Sequence, residues 1–226
     1  MTFENQINNL TGLTLGTHNI TSIDQATQFL QDGVREVINR IIKLDPAEIP
    51  KFCKTTHDNS DAGVIYTGKV YSVVRQHDSA TVVRPCDLIS ADIRFLANDD
   101  DSIYYRSKYN PAYYITGGID ADGSKIYSIP GSGGENNDLI VTQVHYDTGL
   151  ATTDEEIDNF PTEYTYLVPL YAAIKVVEQK VSKLTALEED VEIASGLAQT
   201  LAVLKGDYEG AFNRMASQAP SQGERS

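Results

Sequence analysis

With 226 residues the chain is long enough to bury a core of its own, as one large domain or two small ones. Its 32 acids against 18 bases give a formal charge of −14, which excludes the basic footprint of a nucleic-acid reader and favours a surface that repels DNA. It has no apolar run of about twenty residues and no charged-then-apolar signal segment at its start, so the expectation is a protein made in a cytosol, without a membrane span.

Residues 1–20 are rich in Asn, Thr and Gly, with Phe3, Ile7, Leu10, Leu13 and Leu15 scattered among them. They read as an extended N-terminal arm, either lying on a neighbouring subunit or loose. Ser22-Ile23-Asp24-Gln25 then has the spacing of a capping box. Phe29, Leu30, Val34, Val37, Ile38, Ile41 and Ile42 follow as one helical stripe, and Asp45-Pro46 ends it, because the residue before proline is pushed out of the helical region.

From about Val64 to Tyr146 the period changes. Val64–Tyr66, Val70–Val74, Thr81–Val83, Tyr113–Thr116, Lys125–Ile129 and Leu139–Tyr146 read as strands, rich in β-branched and aromatic residues. Residues 117–123 have the composition of a long hairpin loop, and the strands together suggest an antiparallel meander.

The stretch from Asp154 to Val181 returns to helix. Pro161 suits a first turn, and Asp154, Glu155, Glu156, Asp158 and Glu163 lie where the helix dipole favours acids. Tyr164, Leu167, Leu170, Tyr171, Ile174, Val177 and Val181 recur at three- and four-residue steps as a candidate core and docking face. Pro169 sits inside that pattern, so either a kink or a late helix start is expected. Leu184, Leu187, Val191, Ala194, Leu197, Leu201, Leu204, Tyr208, Phe212 and Met215 carry the pattern on, and both one long helix and a helical hairpin fit it. Ala219–Ser226 is polar and reads as a disordered tail. The sum is an α+β fold. It has an arm at 1–20, a helical domain from 21–60 and 150–217, an inserted antiparallel β-rich subdomain at 61–149, and a tail at 218–226.

Motifs that could carry chemistry are each incomplete. Cys53-x3-His57 is half of a zinc site, and Cys86, His18, His77 and His145 have no matching spacing. Cys53 and Cys86 are the only cysteines, lack CxxC spacing, and read as two thiols and not a disulfide. Asp120-Ala-Asp122-Gly123 resembles a calcium-loop fragment, yet Gly118 and Ile129 stand where acids are needed, so a hairpin turn is expected. Gly131-Ser132-Gly133-Gly134 leads into no helix and fails as a phosphate cradle. Asn98-Asp99-Asp100-Asp101 reads as a solvated loop, and no nucleophile elbow is present. The sequence therefore predicts no catalytic, cofactor or metal site, and no enzyme.

Tyrosines are the more telling signal. Tyr104, Tyr105, Tyr109, Tyr113 and Tyr114 crowd one stretch with Arg106 and Lys108. Tyrosine and arginine are enriched at protein interfaces, so these residues are a candidate interface; the alternative is a tyrosine-rich outer face of the sheet.

Three stretches carry a resemblance: ATQFLQDGVREVINRII, the β-rich middle with VVRPCDLI and DSIYYRSKYNPAYYI, and NFPTEYTYLVPLYAAIKVVEQKV. Their order resembles that of the head-to-tail adaptor, or neck, proteins of marine and cyanobacterial tailed phages. The similarity covers about two-thirds of the chain, leaving out the N-terminal arm and the part after Leu184. It departs at Pro169, where the family more often has an apolar residue. What the resemblance implies is a virion structural protein made in the host cytoplasm. It would form a homo-oligomeric, dodecameric ring between the portal protein and a tail tube, stopper or nozzle protein. Genomic DNA would slide through the ring without sequence-specific binding, past an acidic channel. A peripheral tail or host-recognition protein with a β-rich binding domain is the other reading, expected as a trimer. A tail-borne hydrolase comes third and would need a cleft with a perturbed acid pair.

Overall fold

The helices are α1 (Phe3–Thr11), α2 (Ile23–Leu44), α3 (Arg94–Asn98), α4 (Leu167–Ala186) and α5 (Val191–Gln218). The strands are β1 (Cys53–Asp58), β2 (Val64–Ile65), β3 (Val70–Gln76), β4 (Val83–Pro85), β5 (Asp87–Leu88), β6 (Ala112–Thr116), β7 (Lys125–Ile129) and β8 (Leu139–Val144). This computed structural model describes residues 1–17, 21–78, 81–117, 123–186 and 191–218. His18, Leu187, the Asp120-Ala-Asp122 turn and the tail at 219–226 lie outside the described residues. The fold is α+β, in two units: Met1–Phe52 with Tyr146–Ser226, and Cys53–His145.

In the helical unit the expected arm is instead a helix. Thr2 caps α1, its hydroxyl accepting from the Asn5 amide, and Gly12 closes it in the left-handed region at φ 67°. The Phe3 and Glu4 amides donate to the carbonyls of Asp154 and Thr152, so two donors at the helix start find partners in a loop. Phe3 and Ile7, one turn apart, are fully buried, and α1 packs on α4. Caps and burial here outweigh the weak helix propensity of Asn and Thr.

The capping box of α2 forms as the spacing requires: Ser22 accepts from Gln25, and the Gln25 side chain accepts from the Ser22 amide. The helix ends at Leu44, before Asp45-Pro46. Its stripe from Leu30 to Ile42 is buried; Phe29 is half-buried. At Gly33 the helix closes on α4, where a Cβ would meet the Tyr171 ring at 3.1 Å and the Val168 carbonyl at 3.2 Å.

Pro161 does not open a helix. It precedes a single 3-10 turn, Thr162–Tyr164, and α4 begins at Leu167. Pro169 thus falls in the first turn of α4, where its missing N–H has no helical partner to lose; the late start avoids a kink. Leu167, Val168, Leu170, Ala172, Ala173, Ile174, Val176 and Val177 are all buried, so the first half of α4 is covered by α1, α2 and α5 over all but its Tyr171–Lys175 side. Helix α5 runs back antiparallel along α4, with Lys205 Nζ 2.8 Å from Glu178 and the Tyr208 ring 6.1 Å from that of Tyr171. The arrangement is therefore a hairpin, not one helix. Arg40 on α2 clasps α5 by a forked ion pair to Glu209 and lies 4.2 Å above the Phe212 ring.

The β unit holds two four-stranded sheets, ordered β1-β8-β3-β4 and β2-β7-β6-β5. This corrects the meander: β8 lies between β1 and β3, and β5 runs parallel to β6. The unit also starts earlier than residue 61. Strand β1, polar throughout and counted with the helical domain by sequence, pairs from Cys53↔Val144 to Asp58↔Leu139. Only Cys86 separates β4 from β5, so one chain segment leaves the first sheet and enters the second. Val64 and Ile126 from one sheet meet Val73, Leu139 and Val141 from the other in the main apolar cluster. A smaller cluster gathers Ile89, Ala97, Ala112 and Ile129.

Two buried charges hold the loops of this unit. Asp58 accepts from the Ser60 amide and hydroxyl, the Gly63 amide and the Ser132 hydroxyl. Gly63 has φ 78° and lies so close to Tyr127 that a Cβ would sit 2.7 Å from the ring, so glycine is required there. Arg75, 6% exposed, donates to four backbone carbonyls, those of Pro130, Gly131, Gln76 and Asn137.

Candidate interaction surface

The five clustered tyrosines do not act as one group. Strand β6 takes Tyr113 and Tyr114 and alternates them: Tyr113 packs on the main apolar cluster, Tyr114 on the smaller one. Tyr114 also stacks on Tyr127, at 5.6 Å between centroids. Burial raises the pKa of both phenols, as expected of side chains that serve the core. Tyr104, Tyr105 and Tyr109 stand on the loop before β6 and are exposed. Arg106 ties that loop down, its guanidinium 2.9 Å from Asp87 and its amide donating to the Ala97 carbonyl.

The same segment exposes more apolar surface than its tyrosines suggest. Phe95 is 71% exposed, Ile103 93% and Tyr109 64%, with Leu88, Leu96, Tyr104 and Tyr105 also exposed. Phe95 and Leu96 fall on α3, a five-residue helix that buries Ala97 and turns both outward. Cations flank the rings: Arg94 lies 4.5 Å above Phe95, and Arg84 and Lys108 each lie 5.5 Å from the Tyr109 centroid. Large apolar side chains beside guanidinium groups are the usual anchors of a protein–protein contact. Phe95, Leu96 and Ile103 escape a reading by residue type, since a short apolar run in sequence does not say whether it points inward or outward.

On the helical unit, Leu167, Leu170, Ile174 and Val177 are buried, and Tyr164 and Tyr171 are half-buried. Tyr164 donates to Glu48 at 2.9 Å and stacks on Phe52, and burial followed by that carboxylate pushes its pKa up to about 12. Burial also raises Tyr171. This face is core of its own unit, and Leu170 also lines a groove with Leu10, Tyr166 and Pro169.

The remaining candidates have structural surroundings. Cys53 and His57 lie four residues apart on an extended strand, about 13 Å along its axis. His57 faces Asp138 at 3.4 Å. Burial raises the Cys53 thiol and pushes Cys86 up to about 12, which keeps Cys86 protonated at neutral pH. The carboxylates of Asp99, Asp100 and Asp101 cluster on an exposed loop, with Asp99 accepting from the Asp101 amide. The Gly131–Gly134 loop offers its Gly131 carbonyl to Arg75 and its Ser132 hydroxyl to Asp58, which turns it inward. No helix among the described residues is long and apolar enough to cross a membrane. No protein-family model matches the sequence, and a search of curated proteins finds no match.

Proposed function

We propose that this chain is a structural assembly protein of a tailed phage, acting in the virion neck as a ring-forming adaptor between portal and tail. The observation that carries the reading is the exposed Phe95–Tyr109 surface, on a chain whose helical unit closes its own core. A large apolar and aromatic surface is costly to leave in water and marks a contact with another protein. The order of its helical and β-rich stretches resembles that of neck adaptors, and the formal charge of −14 suits a channel past which DNA slides. On this reading the partners are further copies of the chain in a closed dodecameric ring, the portal protein, and a tail tube, stopper or nozzle protein. No catalytic step or cofactor is assigned.

The test is genetic and structural. A phage with an early stop in this gene should build heads that fill with DNA, lack tails and leak genome. Supplying the chain in trans should restore tails. A folded variant with Phe95, Ile103 and Tyr109 each changed to Ser should not restore them. Normally tailed particles that fail to adsorb would replace the adaptor reading with host recognition.

A further inference from the structure

The two sheets of the β unit are continuous on one side, where β4 runs through Cys86 into β5. On the other side they are not joined. Strands β1 and β2 follow each other in the chain, yet each is the last strand of a different sheet, and no ladder connects them. A groove of about 410 Å³ lies along this seam, lined by Lys54, Thr56, His57, Ile65, Gln143 and His145 among others. Its floor is bridged by a side chain where a strand would otherwise be: the Gln143 amide donates to the Ile65 carbonyl at 2.6 Å and accepts from the Thr67 amide at 3.1 Å.

The edge of β1 differs from the other three edges. Strands β2 and β5 offer two residues each, and β4 offers three, one of them Pro85, which has no N–H to give. Strand β1 has six residues and no proline, exposes Lys54, Thr55, Thr56 and His57, and turns the backbone groups of Thr55 and His57 away from β8 to its outer edge. An edge of that length is a template for another strand. The charges select which strand. Asp58 already accepts four hydrogen bonds, and His57 already faces Asp138. The Lys54 ammonium makes no ion pair among the described residues, although the chain has 32 acids.

We propose that the β1 edge is a docking strand for an extended, carboxylate-bearing segment of a partner protein, which adds to β1 by backbone hydrogen bonds and sets an acidic side chain beside Lys54. Backbone pairing supplies the affinity, and the unpaired lysine makes the choice of sign.

The test uses the full chain and a labelled short peptide of alternating Glu and Val. The peptide should bind and slow hydrogen exchange at the amides of Thr55 and His57, which face away from β8. The same peptide N-methylated along one edge should not bind, and an alternating Lys and Val peptide should bind about tenfold more weakly or worse. Lys54→Glu, checked by thermal melting to be folded, should reverse that preference; Lys54→Gln should abolish it. Equal binding of the N-methylated peptide would overturn strand addition, as would protection confined to Phe95–Tyr109. Failure of the Glu-Val peptide to bind would overturn the acidic partner. A dimer of the free chain with β1 already protected would assign the edge to a second copy instead.

Discussion

The helical unit and the β unit bury different chemistry. Among the described residues, the polar side chains buried in the helical unit are Thr11, Thr21 and Thr152. Those buried in the β unit include a carboxylate, a guanidinium and an imidazole: Asp58, Arg75 and His77, with Ser128, Ser132 and Gln143. The reason lies in backbone accounting. A helix satisfies its own N–H and C=O groups except at its ends, so α4 can be surrounded by hydrocarbon. Short strands joined by long turns leave many groups without a ladder, and inward-pointing polar side chains must meet them. The charge count in the sequence follows the same division. Twenty acids face ten bases in Met1–Phe52 plus Tyr146–Ser226, against twelve and eight in Cys53–His145. Among the described residues the helical unit thus buries no charged side chain, whereas the β unit spends part of its charge on the interior.

The sharpest way to break that contrast is to put a charge into the hydrocarbon. Ile174 is 5% exposed on α4, one turn from the fully buried Val177 and beside Leu170. Ile174→Asp leaves an unpaired carboxylate there, at a cost of about 4 kcal/mol or more, enough to unfold a domain of ordinary stability. Loss of far-UV helical signal at room temperature is the expected outcome. A melting curve like the parent's would mean that α4 is not the centre of an apolar core.

The next largest effect is expected from the opposite change, removing a buried charge from the β unit. Arg75→Met keeps much of the side-chain volume but strands the carbonyls of Pro130, Gly131, Gln76 and Asn137. The expected cost is about 3 kcal/mol, read by denaturant titration. Hydrogen exchange should rise first at 130–137, the loop that Arg75 holds. A neutral or stabilising result would show that Arg75 contributes no more than a hydrophobic residue of its shape.

How much of this was legible in the sequence tracks how local the cause is. Helix α2 was readable because Ser22, Gln25 and Asp45-Pro46 mark both ends within the chain itself. Helix α1 was missed although Thr2 and Gly12 stand at its caps and Phe3, Ile7 and Leu10 keep helical spacing, since the weak helix propensity of its Asn and Thr residues argued for an extended arm. Strand β1 was missed because an edge strand exposed on both faces has no alternation to read. The tyrosine cluster drew attention to the right loop, but the pleat sends Tyr113 and Tyr114 to the core, and the exposed Phe95 and Ile103 carried no sequence signal. The Asp58 and Arg75 networks were out of reach. Ser132 lies 74 residues from Asp58, and Gly131 lies 56 from Arg75, so only the fold brings them together.

The smallest effect sharpens the comparison by pH. Burial alone would raise the Asp58 pKa, but the donors from Ser60, Gly63 and Ser132 outweigh it, and the net shift is downward from the ordinary carboxylate value. A carboxylate with a depressed folded pKa contributes stability that is present above its unfolded value, near 4, and is lost as pH falls through the folded value. Asp58→Asn keeps one acceptor oxygen and turns the other position into a donor, which faces the Gly63 amide or the Ser132 hydroxyl. The expected cost at pH 7 is about 1 to 2 kcal/mol. Between pH 5 and pH 2 the wild-type advantage should shrink, because the parent is losing the same charge that the variant lacks. Urea titrations of both proteins across that range measure it. A gap that stays constant down to pH 2 would mean that hydrogen-bond geometry at Asp58, and not its charge, holds the loops of the β unit.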